Sequence, residues 1–322
     1  MLERLRRLLR RPSATTVRRL ALASVVANSV IVVTGGAVRL TASGLGCPTW
    51  PRCTETTYTP TAEYAVHGVI EFGNRLLTFV LTAVVVALLV AVLRQRPRRP
   101  DLVRLAVLGF LGIPAQALLG GITVLTGLNP WTVMGHFLLS MVLIGAAVVL
   151  HQRAREGDEP ARLTVPPLLR RLSYGLLGLT AAVLAVGTVV TGSGPHSGDP
   201  AAGRTGLDPA AVSQLHADLV FLLVGATVGL WVACAAVGAT AAARSALVLL
   251  GVELAQGALG FVQYFTGLPV LLVGLHLAGA CLVLVYAVRV VLSTRERGQL
   301  PVVDVPVQVP RAAAAAPAAA TR

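Results

Sequence analysis

The sequence predicts an all-α polytopic membrane protein, with eight transmembrane helices arranged as two pseudo-symmetric four-helix bundles. Three observations carry that prediction. The 322-residue chain is 55% hydrophobic and only 13% charged, with a mean hydropathy of +0.76, too apolar for soluble domains of this length. Apolar runs of spanning length, about 20 residues, recur at 20–40, 66–93, 102–127, 131–151, 168–192, 213–236, 245–267 and 269–292. Finally, the stretch from Gln116 to His136 returns at a constant offset of 140, with Gln256, Gly260, Thr266, Gly267, Leu268 and His276 standing for Gln116, Gly120, Thr126, Gly127, Leu128 and His136. A constant offset of this kind marks duplication of a four-helix unit. An even number of spans per unit makes the copies parallel rather than inverted.

The charge pattern orients the chain. A net charge of +13 would suggest a nucleic-acid partner in a soluble protein. Here all 27 basic residues are Arg, and 23 of them lie before the first span, after the last, or at the connections and span ends on that same side. Arg39, Arg52 and Arg204 lie on the other side, and Arg75 lies inside the second span. The positive-inside rule then places both termini in the cytoplasm and explains the basic balance without a polyanion.

Taken in order, residues 1–19 read as a basic cytoplasmic segment on the membrane surface. The run 20–40 is longer than a signal-peptide apolar region and lacks a small-x-small exit, so it reads as a retained helix. The N-terminal bundle runs over 20–151, a cytoplasmic linker over 152–167 and the C-terminal bundle over 168–292. Residues 293–322, Pro- and Ala-rich without apolar periodicity, read as a disordered cytoplasmic tail.

The second span opens with His67-Gly-Val-Ile-Glu71-Phe-Gly-Asn74-Arg75. His67, Glu71, Asn74 and Arg75 share one helical face, where lipid offers no polar partner. Two readings stand: a satisfied structural network, or a buried cofactor or reaction site. The preceding outer loop carries Cys47 and Cys53, which either close a structural disulfide or act as an exchanging dithiol. Cys234 and Cys281, inside spans, read as packing residues. A looser repeat sets Gly187-Thr-Val-Val against Gly36-Ala-Val-Arg, and His216-Ala-Asp-Leu-Val-Phe against His67-Gly-Val-Ile-Glu-Phe. Each half then has one His on its second span and one on its fourth: His67 and His136, His216 and His276. Paired imidazoles at one depth in a helical bundle suit bis-histidine ligation of a haem. The halves are unequal, because Glu71, Asn74 and Arg75 have no matching set in the second half. Arg39 and Arg75 are candidates for a haem propionate or equally for helix-end anchoring. Glu253 reads as a proton-path or packing acid, His196 as a loop residue with or without a ligand, and His151 as interfacial.

These residues resemble the heme A synthases of the CtaA family. The resemblance covers about residues 20–292 and rests on Gly35-Gly-Ala-Val-Arg39-Leu-Thr41, Ser43-Gly-Leu-Gly-Cys47-Pro-Thr-Trp50-Pro-Arg-Cys53, Glu71 to Arg75, Gln116-x3-Gly120-Gly-x-Thr-Val, His136, His216 and His276. It implies a haem b between His216 and His276 in the C-terminal half, and haem O as substrate in the N-terminal half, its C8 methyl group oxidised to the formyl group of haem A. It implies Glu71 as the essential acid, His136 as an axial ligand and Cys47–Cys53 as the outer-loop pair. Haem O synthase, oxidase assembly factors and a quinone or other electron carrier are the implied partners, in a bacterial inner membrane, with a homo-oligomer also compatible. The chain departs from the family where many members read Glu-x-x-His-Arg, since Asn74 replaces the His. Either His67 supplies the missing ligand, or the substrate iron has only His136. The rival function is a di-haem b-type, quinol-reacting electron-transfer cytochrome with both haems permanent.

Overall fold

The computed structural model describes residues 12–298. Among these, eight helices are long and apolar enough to cross a membrane: α1 Ala14–Leu40, α2 Ala65–Arg94, α3 Pro100–Leu125, α4 Pro130–Arg153, α5 Pro167–Ser193, α6 Pro209–Ala236, α7 Thr240–Phe265 and α8 Val270–Ser293. Their starts follow local chemistry. Pro occupies the first turn of α3, α4, α5 and α6, where its fixed φ is helical and its missing N–H is not needed. Ser13, Asn129 and Asp208 accept N-cap bonds from Thr16, Trp131 and Ala210 N–H groups.

Helix α1 begins earlier than the apolar run. Ser13 caps it, so Arg18 and Arg19 belong to the helix and not to a separate surface segment. Propensity carries a helix beyond its apolar stretch when the extra turn ends in water. The expected surface lead before Pro12 lies outside the described residues, as does the expected 293–322 tail from residue 299 onward; its first residues, 293–298, are instead ordered, because Arg295–Glu296 pair with the linker.

Helices α1 to α4 pack in a ring, each against its chain neighbour and α4 back against α1; α5 to α8 repeat that ring. The rings meet through α4 and α8, with α1 against α8 and α4 against α5. One buried apolar cluster, including Val17, Leu88, Leu102 and Leu150, fills the arginine-rich end of the first ring. A second, including Leu176, Leu223, Leu249 and Val283, fills the second ring. A third, with Val32, Ile144, Leu184 and Cys281, joins the two. Many apolar side chains point outward, among them Phe79 (72% exposed) and Phe265 (77%), as hydrocarbon-facing positions require.

The duplicated turns are superimposable in conformation. Gly127 and Leu128 have φ of 62° and 59°, and Gly267 and Leu268 have 79° and 60°. In each turn the Leu N–H returns to a carbonyl five residues back, Thr123 or Gln263, closing the helix with a left-handed cap. At the arginine-rich end the linker is not free. Arg162–Leu163 pair antiparallel with Arg295–Glu296, so residues 294–298 fold back onto the connection between the halves. Arg99, buried at 2%, donates to the Glu156 and Arg153 carbonyls, and Arg153 pairs with Asp101 and Glu156.

Candidate functional site: imidazoles seated on glycines

Three of the four predicted ligand histidines sit in the same local arrangement. His136 and His276 are each the seventh residue of their helices, α4 and α8, and His216 is the eighth of α6. Each ring lies against a glycine of the neighbouring helix. A Cβ on Gly120 would stand 3.1 Å from His136 Cε1, one on Gly187 3.0 Å from His216 Cε1, and one on Gly260 3.3 Å from His276 Cε1. Any larger residue would push the imidazole aside. Gln116 Nε2 donates to the His136 carbonyl at 3.2 Å and Gln256 Nε2 to the His276 carbonyl at 2.7 Å. The duplicated glutamines therefore hold the histidine-bearing turns. In all three rings Nδ1 is sealed and has no hydrogen-bond partner, whereas Nε2 is not sealed.

The fourth position is occupied by Asn74 and not by His67. A Cβ on Gly35 would meet Asn74 Nδ2 at 3.7 Å, and Thr34 Oγ1 donates to Asn74 Oδ1 at 2.7 Å. Gly35 and Asn74 thus stand to each other as Gly187 and His216 do. Gly36, the expected counterpart of Gly187, faces the other bundle, where a Cβ would collide with Leu277. His67 is exposed, two turns nearer the loop end, and its Nδ1 bonds Ser43 Oγ at 2.9 Å. The expected pairing of His67 with His216 is therefore corrected. Matching short strings aligned residues by their neighbours in sequence, whereas contact with the first helix aligns them by depth.

Glu71 is buried, only 5% exposed, and both carboxylate oxygens are engaged: Oε2 accepts the Cys47 N–H at 2.7 Å, and Oε1 accepts Arg75 at 2.6 Å. Arg75 also donates to the carbonyls of Cys47, Thr49 and Arg52. Helix α2 thereby grips the loop closed by the Cys47–Cys53 disulfide. Close packing reinforces the grip, since a Cβ on Gly46 would collide with the His67 carbonyl. From that loop Trp50 reaches α3, its ring carbons 2.5–2.9 Å from where a Gly121 Cβ would be. The adjacent Gly120 cradles His136, so the loop covers the first bundle beside its histidine. Of the two roles open for Arg75, the geometry shows anchoring.

Arg39 is also an anchor. Nε donates to the His196 carbonyl at 2.6 Å and Nη2 to the Thr191 carbonyl at 2.8 Å, while His196 Nε2 lies 2.9 Å from the Leu268 carbonyl. These two side chains clasp the end of α1, the α5–α6 loop and the α7–α8 turn to one another. Glu253, buried at 3%, accepts from Thr227 Oγ1 at 2.9 Å through Oε1, while Oε2 has no partner. Trp50, Thr34 and the role of the two glutamines were not legible as site features. The glutamines did carry a signal, the constant offset that already marked them.

The family model for the COX15-CtaA cytochrome oxidase assembly protein matches residues 18–196, more than half of the chain. The chain belongs to the COX15-CtaA family. Similar proteins include the heme A synthase of Exiguobacterium sibiricum, 32% identical over 50% of this chain and 54% of that protein. That of Symbiobacterium thermophilum is 30% identical over 54% and 58%, and that of Bacillus pumilus 32% over 53% and 58%. The chain spans a little more than half the length of these relatives. Eight apolar helices and this membership make the COX15-CtaA chain a multi-pass membrane protein.

Proposed function

We propose that this chain is a heme A synthase, which oxidises the C8 methyl group of haem O to a formyl group and so provides haem A for cytochrome oxidase. The observation that supports this most is the imidazole-on-glycine arrangement of His136, His216 and His276 in a COX15-CtaA chain, with a disulfide-closed loop covering only the first half. The donor set fits haem: His136, His216 and His276 carry imidazoles with unengaged Nε2 atoms, the group that would hold a haem iron if one were bound. In this reading His216 and His276 hold a permanent haem b in the C-terminal half (168–292), and the N-terminal half (20–151) takes the substrate on His136.

Bound haem supplies the redox chemistry that an unactivated methyl group requires. The half-reaction, R–CH3 + H2O → R–CHO + 4 H+ + 4 e−, needs an external acceptor, for which a quinone or similar membrane carrier is the class. The chain's own residues bind and shield. His136 fixes the substrate's depth, and Trp50 and the disulfide loop cover the bundle beside it. Glu71 is the site's acid, one turn from Asn74 on the same face, and together with Arg75 it holds the loop shut. Arg39 and Arg75, spent on backbone carbonyls, are not assigned a propionate. A haem O synthase is the natural donor, because haem O is too apolar to diffuse through water. Both termini face the cytoplasm of a bacterial cell on the arginine distribution.

The test is haem extraction from a bacterial host that makes no haem A, expressing this chain with a haem O synthase. Mass-resolved chromatography should show haem A or hydroxylated haem O, absent from a Glu71→Ala control. Folded protein carrying haem B in both halves, with haem O untouched, would instead establish the electron-transfer cytochrome.

A further inference from the structure

The two halves use one construction four times and fill it with three histidines. Gly120, Gly187 and Gly260 each face an imidazole, and Gly35 faces the Asn74 carboxamide. Thr34 Oγ1 donates to Oδ1 of that amide, which turns its Nδ2 away from the threonine. Nδ2 has no hydrogen-bond partner and is not sealed from open space. A carboxamide N–H is a donor and offers iron no lone pair. The nearest alternative imidazole on α2, His67, is exposed and bonded to Ser43. Gly46 packs against its backbone carbonyl, so the start of α2 is held in place by the loop that Glu71 and Arg75 anchor.

We propose that the N-terminal half ligates its haem from one side only, through His136, and leaves the opposite side as an exchangeable position. That position takes a small neutral ligand, with the Asn74 amide as hydrogen-bond donor. The C-terminal half, closed by His216 and His276, has no such position. The inference rests on the haem reading above and adds the ligand class of its substrate half. It assigns Asn74 as a positioning residue for whatever occupies the open side. Thr34 sets the amide's orientation.

Carbon monoxide is the probe. The full chain, purified in detergent and loaded with two equivalents of haem, should show a ferric high-spin signal beside a low-spin one. On reduction, CO should shift the Soret band of about half of the haem. Asn74→His should convert the high-spin signal to low-spin and abolish the CO response. Asn74→Leu should keep CO binding and move the C–O stretch to higher frequency, because the donor is gone. His67→Ala should leave the wild-type spectra unchanged. A wild type wholly low-spin and silent to CO would overturn the inference, as would a CO response that appears only in His67→Ala. An unmoved stretch in Asn74→Leu would overturn the donor role. Failure to bind haem at all, or to take a second equivalent, marks failure of the underlying reading, and it is distinguished by the haem-to-protein ratio before any CO is added.

Discussion

Gly187→Ala tests whether the glycine cradles hold the imidazoles in place. In a helix interior Ala is ordinarily favoured over Gly by about 0.5–1 kcal/mol. At Gly187, however, the new methyl would lie 3.0 Å from His216 Cε1 and 3.5 Å from its Nδ1. Ordinary contact begins several tenths of an ångström further out, so either the ring or helix α5 must yield. Overpacking of this kind costs about 1–3 kcal/mol. The two effects oppose each other, and the balance is a net loss of roughly 0–2.5 kcal/mol in the apoprotein. On the proposed haem reading the larger effect falls on His216, which a shift of a few tenths of an ångström would move out of place. Gly257→Ala is the internal control, because nothing lies within 4 Å of its Cβ position. It should be neutral or stabilising by up to about 1 kcal/mol. The assay pairs thermal unfolding in detergent with the haem absorbance retained per protein. Gly187→Ala should lose much of the C-terminal haem signal, and Gly257→Ala should lose none. Equal behaviour of the two variants would refute the reasoning, because they differ only in what the added methyl meets.

Other predictions follow from the anchors. Glu71→Gln removes the charge that Arg75 grips and should loosen the Cys47–Cys53 loop by about 1–3 kcal/mol, read as faster proteolysis or hydrogen exchange confined to residues 44–60. Arg99→Ala breaks a network buried at the arginine-rich end. The carboxylate partners of Arg99, Asp101 and Asp158, are partly exposed, so the loss is mainly the pairing of the Glu156 and Arg153 carbonyls, about 1–3 kcal/mol, and the melting temperature should fall by a few degrees with no change in bound haem. Thr227→Val removes the partner that Glu253 has in a fully buried setting and should destabilise by about 1–3 kcal/mol. Glu253→Leu in that background should restore most of the loss. Retention of haem by Thr227→Val and by the double variant would place Glu253 in packing, and a loss reversed by neither would point to a ligand-linked role.

Much of the fold was legible because the membrane imposes it. Apolar runs long enough to span must become helices, since unpaired backbone groups are not tolerated in hydrocarbon. The eight helices fall within a few residues of those runs, and the Gln116–His136 repeat reappears as two matching turns with matching glutamine bonds. The candidate site was only partly legible. His136, His216 and His276 stand where duplicated positions put them, but the fourth position did not. His67 resembled His216 in its local string, and the spacing His67–Glu71–Asn74–Arg75 placed four polar groups on one face without saying what each would touch.

The chain by itself determined the spans, the duplication, the arginine asymmetry and the residue types available to hold a cofactor. Those follow from composition and period, which are properties of one strand of sequence. Only the tertiary structure decided which glycine faces which ring, that Asn74 and not His67 lies against a first-helix glycine, and that Glu71, Arg75 and Arg39 spend their hydrogen bonds on loops. Depth in a bundle is set by how far each helix extends past its neighbours. That depends on the lengths and packing of the connecting loops, which local sequence spacing does not encode.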